Sequence, residues 1–226
     1  MPRLTVLRPD TPVGLDRFAG WMDVDARVLD LWEDPVPSLD ACGDAIIVLG
    51  GRHNALDDTL GWQRPLRALL RGAVERALPV LGICLGHQVL ARALGGEVTV
   101  ADERGGEHGA RTLTWAEKAA DDPVLGPAAG MGEGVVAMSH YDVVTRLPDG
   151  AVELATTSKY RNQAFRYGSA VGVQFHPEAT PERKAQWATN RGHDAGAMLE
   201  EMRAVDADVA RLGEAIARAF AAQLAS

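Results

Sequence analysis

A chain of 226 residues, 46% hydrophobic and 24% charged, can bury a full core and has the composition of an ordinary globular protein. Its formal charge of −8 removes the basic face that sequence-independent nucleic-acid binding needs, and no Lys/Arg cluster restores one locally. Two cysteines, Cys42 and Cys84, are too few for a disulfide framework or a four-ligand zinc site.

The opening MPRLTVLRPD lacks the apolar core and small-residue cleavage site of a signal peptide. No stretch approaches the roughly 20 apolar residues of a membrane span, so a cytoplasmic protein without membrane contact is expected. LTVL (4–7), ARVLDLW (26–32), AIIVLGG (45–51) and PVLGICL (79–85) read as strands, several without polar alternation, as strands covered on both faces do. Between the last two, Leu66, Leu69, Leu70 and Val74 recur at helical spacing. A second helix, GHQVLARA, stops at Gly95-Gly96. Strand, helix, strand, helix with short connections predicts a parallel sheet with right-handed crossovers.

From about residue 96 the pattern changes to short β-type runs: GEVTVAD, ARTLTWAE, the long 133–157 stretch, NQAFRYG and AVGVQFHPE. After Glu178 the chain turns helical, with Thr180 as a capping residue before Pro181. Val209, Leu212, Ile216, Phe220 and Leu224 form an apolar stripe that can pack back onto the fold or dock a partner. The acidic residues of 200–208 read as a solvated helix face. The expectation is one α/β domain over 1–226, its core about 1–180, with a helical C-terminal extension over about 180–226.

Gly82-Ile83-Cys84-Leu85-Gly86 has the form G-x-C-x-G at a strand-to-helix junction. Glycines on both sides permit the cramped turn of a nucleophile elbow, which lifts its central side chain above the carboxyl edge of the sheet. The start of the following helix favours an anion there, and the Leu85 N–H would face an oxyanion formed by thiolate attack on a carbonyl. A cysteine behind a buried strand can equally be simple packing, so a base and its orienting group must decide. Both occur in VQFHPE: in an extended segment, residues i and i+2 project to one side and bring His176 to Glu178. Pro177 holds that geometry, and an imidazole facing a carboxylate is the base-plus-orienter half of a triad.

GICLGHQ and VQFHPE together resemble the class I glutamine amidotransferases of the Cys-His-Glu type, over about residues 40–180. The resemblance is nearest to the amidotransferase domain of GMP synthetase and the stand-alone proteins similar to it. It implies a flavodoxin-like α/β fold: an open, mostly parallel central sheet with helices on both faces and a small antiparallel β region. It implies Cys84 as nucleophile, His176 as base and Glu178 as its orienter. Gly50 and Gly51 match the loop that donates a second oxyanion N–H beside that of Leu85. Gln88 matches the side chain that helps hold substrate. Ser139, His140 and Tyr141, in MSHYD, match the loop that grips the α-amino and α-carboxylate groups. The GMP synthetase pattern usually has glycine where Tyr141 stands, and a bulky ring there is expected to reshape the donor pocket.

His87 follows Cys84 by one helical turn but is expected to pack beside the sheet, because an elbow aims its nucleophile away from the helix body. Cys42 reads as structural, His53 and His193 as solvated loop residues, and Glu107 and His108 as weak candidates in a loop near the substrate. No metal-ligand motif and no phosphate-binding G-x-x-x-x-G-K-[ST] is present, so neither metal nor cofactor is expected. The leading expectation is a glutamine-hydrolysing enzyme that passes ammonia to a separate acceptor-activating synthase. Two others keep the fold: a γ-glutamyl peptidase or hydrolase acting on γ-glutamyl conjugates, and a catalytically silent ligand-sensing module.

Overall fold

The four apolar runs of the first half do become strands. In the computed structural model, which describes residues 2–225, β1 (Arg3–Arg8), β2 (Asp25–Asp30), β3 (Ala45–Val48) and β4 (Val80–Ile83) pair in parallel in the order β2-β1-β3-β4. A late strand, β11 (Ala170–Val173), pairs parallel with β4. That order is the flavodoxin-like doubly wound arrangement, which gathers a site at the carboxyl ends of the strands.

Every residue of β3, β4 and β11 is buried, because helices cover both faces. On one face Leu66 and Leu70 of α2 (Gln63–Glu75) and Val89 and Leu90 of α3 (Leu85–Ala93) pack with Ile46, Val48 and Val80. On the other, the alternate residues Val6, Ile47, Leu81 and Ile83 share a core with Phe18 of the short α1 (Phe18–Trp21) and with residues of the C-terminal helices.

The expected small antiparallel region is present, and further antiparallel strands extend the main sheet. Strands β6 (Glu107–Trp115), β7 (Gly134–His140), β9 (Val152–Thr156) and β10 (Ala164–Tyr167) continue the main sheet as β11-β10-β9-β6-β7, giving nine strands in one sheet. Among the described residues only β5 (Glu97–Thr99) and β8 (Val143–Arg146) stand apart as an antiparallel pair.

The chain beyond β11 also departs from expectation. The strand ends at Val173, and Pro177 and Glu178 form a turn rather than an extended segment. The cause is a change of partner: Val173 O accepts from Cys84 N at 2.8 Å, whereas His176 N donates to Ala137 O on β7 at 2.9 Å.

After that turn come α5 (Pro181–Asn190), α6 (Ala195–Ala204) and α7 (Asp206–Ala222); a short α4 (Gly126–Ala129) precedes β7. Thr180 caps α5 by accepting from Arg183 N at 3.1 Å. The stripe Val209, Leu212, Ile216, Phe220 and Leu224 is buried within the fold, so it is not presented to a partner. Arg17 binds Asp206 through two bonds of 2.7 and 2.8 Å, and Arg183 pairs with Asp16 at 2.7 Å. The acidic 200–208 stretch is therefore not simply a solvated face; Glu201 also accepts from Ala110 N at 2.8 Å. Gly213 lets α7 rest on the His-Pro-Glu turn, since a Cβ there would lie 2.1 Å from Pro177 O. Among the described residues no helix is long and apolar enough to cross a membrane.

Candidate active site

Cys84 sits between β4 and α3 with φ +52° and ψ −103°, a backbone conformation that a non-glycine residue adopts only when its surroundings impose it. The flanking glycines show how. A Cβ on Gly82 would come 2.6 Å from Gly86 O, and one on Gly86 would come 2.1 Å from Val48 O. Only bare backbone fits where α3 starts against β3. Gly86→Ala is therefore expected to cost about 3 kcal/mol or more by overpacking. For a chain of this size that reads calorimetrically as a fall of roughly 6–12 °C in Tm. An unchanged Tm would show that the corner is not under this constraint.

The turn holds Cys84 nearly buried, with its thiol 3.8 Å from Ser139 O, in the wall of a cavity that His176 also lines. The point where a Cβ on Gly50 would lie is 2.9 Å from His176 Cε1 and 3.5 Å from Cys84 Cβ, so ring and cysteine flank one glycine. On its far side His176 Nδ1 is 2.8 Å from Glu178 Oε1. Burial by itself disfavours the imidazolium. The Glu178 carboxylate and the charge Cys84 carries as a thiolate outweigh it, and the ring titrates at about 9. At neutral pH His176 is thus a cation between two groups that can be anions. Glu178 is held in turn, its carbonyl accepting from Arg17 N at 3.1 Å.

Two connected hollows meet at Cys84. One, on the His176 side, is lined by Pro12, Val13 and Trp187; the other is polar and lined by Gln88, Ser139, His140, Tyr141 and Asp142, with Gly51 and Arg52 bordering both. Gln88 Nε2 donates to Asp142 O (2.9 Å) and Gln174 Oε1 (3.1 Å), which leaves its carbonyl oxygen to accept from a ligand. His140 is buried between Asp142 O at 3.2 Å and Glu107 Oε2 at 3.3 Å and shapes the loop. Tyr141 stands at the mouth, 41% exposed, rather than filling the pocket. Leu85 opens α3, so its N–H has no intrahelical acceptor.

The other candidates also have places. His87 is fully buried against Phe165 and burial drives its pKa to about 3, so it stays neutral. Cys42 is buried, and burial raises its thiol to about 11. Glu107 accepts from Gln163 Nε2 at 2.6 Å. His53 and His193 are exposed, but they edge the site: His53 borders the polar hollow and His193 Nε2 lies 3.2 Å from Tyr141 Oη. No cluster of three His, Cys, Asp or Glu residues able to hold a metal occurs among the described residues.

A sequence model of the family "Glutamine amidotransferase class-I" matches residues 23–194, a span that includes the elbow, the MSHYD loop and the His-Pro-Glu turn. The chain belongs to the class I glutamine amidotransferases. Among relatives of this amidotransferase, it is 32% identical over 158 residues to a glutamine-hydrolysing GMP synthase subunit of Halobacterium salinarum, covering 69% of this chain and 78% of that one. It is 32% identical over 145 residues to gamma-glutamyl peptidase 5 of Arabidopsis thaliana, covering 62% and 55%. It spans only 20–26% of the length of several bacterial GMP synthases that it matches. A solved glutamine amidotransferase from Methylobacillus flagellatus superposes with a TM-score of 0.86 at 24% identity, over 99% of this chain and 95% of that one, which speaks to the fold.

The fold also places around Cys84, His176 and Glu178 three residues that the sequence motifs do not flag. Trp187 of α5 leans on the His176 ring at 4.5 Å and is pinned by an Nε1 bond of 2.8 Å to Pro12 O. One turn earlier Lys184 is 2% exposed and donates to Met138 O; burial pulls its pKa to about 7. Arg191, which follows α5, borders both hollows. The i, i+3 spacing of Lys184 and Trp187 is visible in PERKAQW, yet a lysine normally reads as solvent-facing.

Proposed function

We propose that this chain is a glutamine amidotransferase-type hydrolase working through a γ-glutamyl thioester. The Cys84 thiolate attacks the γ-carboxamide carbon, and the N–H groups of Gly51 and Leu85 receive the oxyanion. Collapse breaks the C–N bond while the His176 imidazolium gives its proton to the departing ammonia. His176, now neutral, takes a proton from water, which cleaves the thioester to glutamate and returns the thiolate. The observation that carries this reading is the geometry: His176 Nδ1 lies 2.8 Å from Glu178, and its ring and a cysteine held at positive φ flank Gly50.

Ammonia released into water is protonated and lost as a nucleophile, so the activity makes chemical sense when it feeds an acceptor-activating synthase. We infer that this synthase is a separate chain. The relative from Halobacterium salinarum, named as one subunit of a synthase, supports it. We read residues 1–226 as one amidotransferase domain.

A second reading, a hydrolase of γ-glutamyl conjugates, is favoured by the apolar hollow on the His176 side, where a substituent on the amide nitrogen would lie, and by the peptidase relative. Turnover of free glutamine and of a γ-glutamyl dipeptide by the purified chain, measured in parallel as glutamate release, separates the two. Glutamine is expected to be the better substrate by kcat/KM. A preference for the dipeptide would establish the second reading instead, and turnover of neither would remove both.

A further inference from the structure

Tyr141 stands where the GMP synthetase pattern that this sequence resembles usually has glycine, and its ring has fixed surroundings in the structure. It is fixed by three neighbours: the His108 ring at 4.6 Å, His193 Nε2 at 3.2 Å from its hydroxyl, and the Arg191 guanidinium 5.1 Å from its centroid. Burial, helped by the charges of Arg191 and Lys184, lowers His108 to about 4, so a neutral ring backs the platform.

Arg191 is the unusual member. Among the described residues no carboxylate lies within ion-pair distance of it, whereas the neighbouring Arg52 is neutralised by two bonds to Asp10, of 2.7 and 2.8 Å. Asp142, an acid near enough to interact electrostatically with Arg191, accepts from Ala101 N at 2.9 Å and does not pair with it. A guanidinium stacked on an aromatic face keeps its in-plane N–H fork free and oriented, the geometry that matches a carboxylate. Arg191 meets Gln88 and Ser139 across the polar hollow that opens onto Cys84.

We propose that Arg191, held over the Tyr141 ring, is a carboxylate-binding residue of this site that joins the 139–141 loop in holding the α-carboxylate of the γ-glutamyl donor while the side-chain amide lies over Cys84. This rests on the function proposed above. It makes the donor class specific: a γ-glutamyl amide with a free α-carboxylate, whatever the leaving amine. Tyr141 then serves as the platform for the recognising arginine.

The test compares the full chain with its Arg191→Gln variant on glutamine and on 4-aminobutanamide, which keeps the amide and lacks the α-carboxylate. Losing a charge-assisted bond of this kind is expected to raise KM for glutamine roughly 10- to 100-fold, falling on KM more than on kcat. Arg191→Lys should recover only part, and the parent protein's preference for glutamine over 4-aminobutanamide should shrink by about the same factor. An unchanged KM for glutamine overturns the proposal.

Alkylation of Cys84 supplies a readout that does not depend on turnover. The parent should favour iodoacetate over iodoacetamide relative to Arg191→Gln. Loss of that preference in a chain that hydrolyses nothing would uphold the carboxylate site while removing the functional reading. An identical ratio in the two proteins overturns the site even if glutamine is hydrolysed. Iodoacetamide also reports whether the variant still presents the cysteine, and Tyr141→Leu, expected to weaken the same preference, tests the platform if Arg191→Gln does not fold.

Discussion

Cys84→Ala is expected to abolish glutamine-dependent ammonia release, with a fall of roughly 10⁴- to 10⁶-fold, the scale seen when the nucleophile of a triad is removed. The alanine keeps the buried corner filled and leaves the two glycine contacts untouched, so the fold should persist; a melting curve close to that of the parent would confirm it. Cys84→Ser should be nearly as inactive. A serine hydroxyl stays protonated where a thiol does not, and the imidazolium at 176 would then face a neutral partner with no anion to deliver. Residual turnover within tenfold of the parent in either variant would mean that another group attacks the amide, and the assignment of this corner would be wrong.

Glu178→Gln is expected to lower kcat by roughly a thousandfold, since an amide can hold the ring in the wrong tautomer and cannot balance its charge. It also moves the pH profile. His176 is cationic below about 9 in the parent, and the cation is the form that protonates the departing amine, so activity should persist to about that pH and fall above it. The carboxylate charge raises the ring's pKa while burial lowers it. Removing the carboxylate leaves burial less opposed, and the alkaline limb should shift to lower pH. Measuring kcat/KM from pH 6 to 10 for both proteins checks the sign. A limb that stays in place would show that it reports some other group, with Lys184, near 7, the nearest alternative.

What the sequence reveals divides along physical lines. The corner at 82–86 is legible because its G-x-C-x-G spacing lies within five residues, although only the carbonyl that requires Gly82 is local and the one that requires Gly86 comes from Val48 of β3. The parallel pairing of β3 with β4 follows from the helix α2 that connects them. The placement of β6, β7, β9 and β10 is less legible, because antiparallel partners are chosen by pairing between distant segments; β6 joins β9 only through Thr114 and Trp115. The same non-locality hides the true geometry of the His-Pro-Glu segment. Its residues meet as expected, but through a turn set by Ala137 on another strand. Lys184 and Arg191 escape a reading of the sequence because a cation reads as solvent-facing until a neighbouring carbonyl or ring is known to claim it.

The glycine at 213 carries a consequence for how such chains are dissected. Because the last long helix presses its backbone directly on Pro177 O, the wall behind the imidazole and its carboxylate is made of residues far downstream of both motifs. A fragment ending soon after Glu178 would hold every reactive atom and still lack the buttress that keeps them in register. Motif content and competence are therefore separable in this protein, and its tail belongs to the chemistry as much as the elbow does.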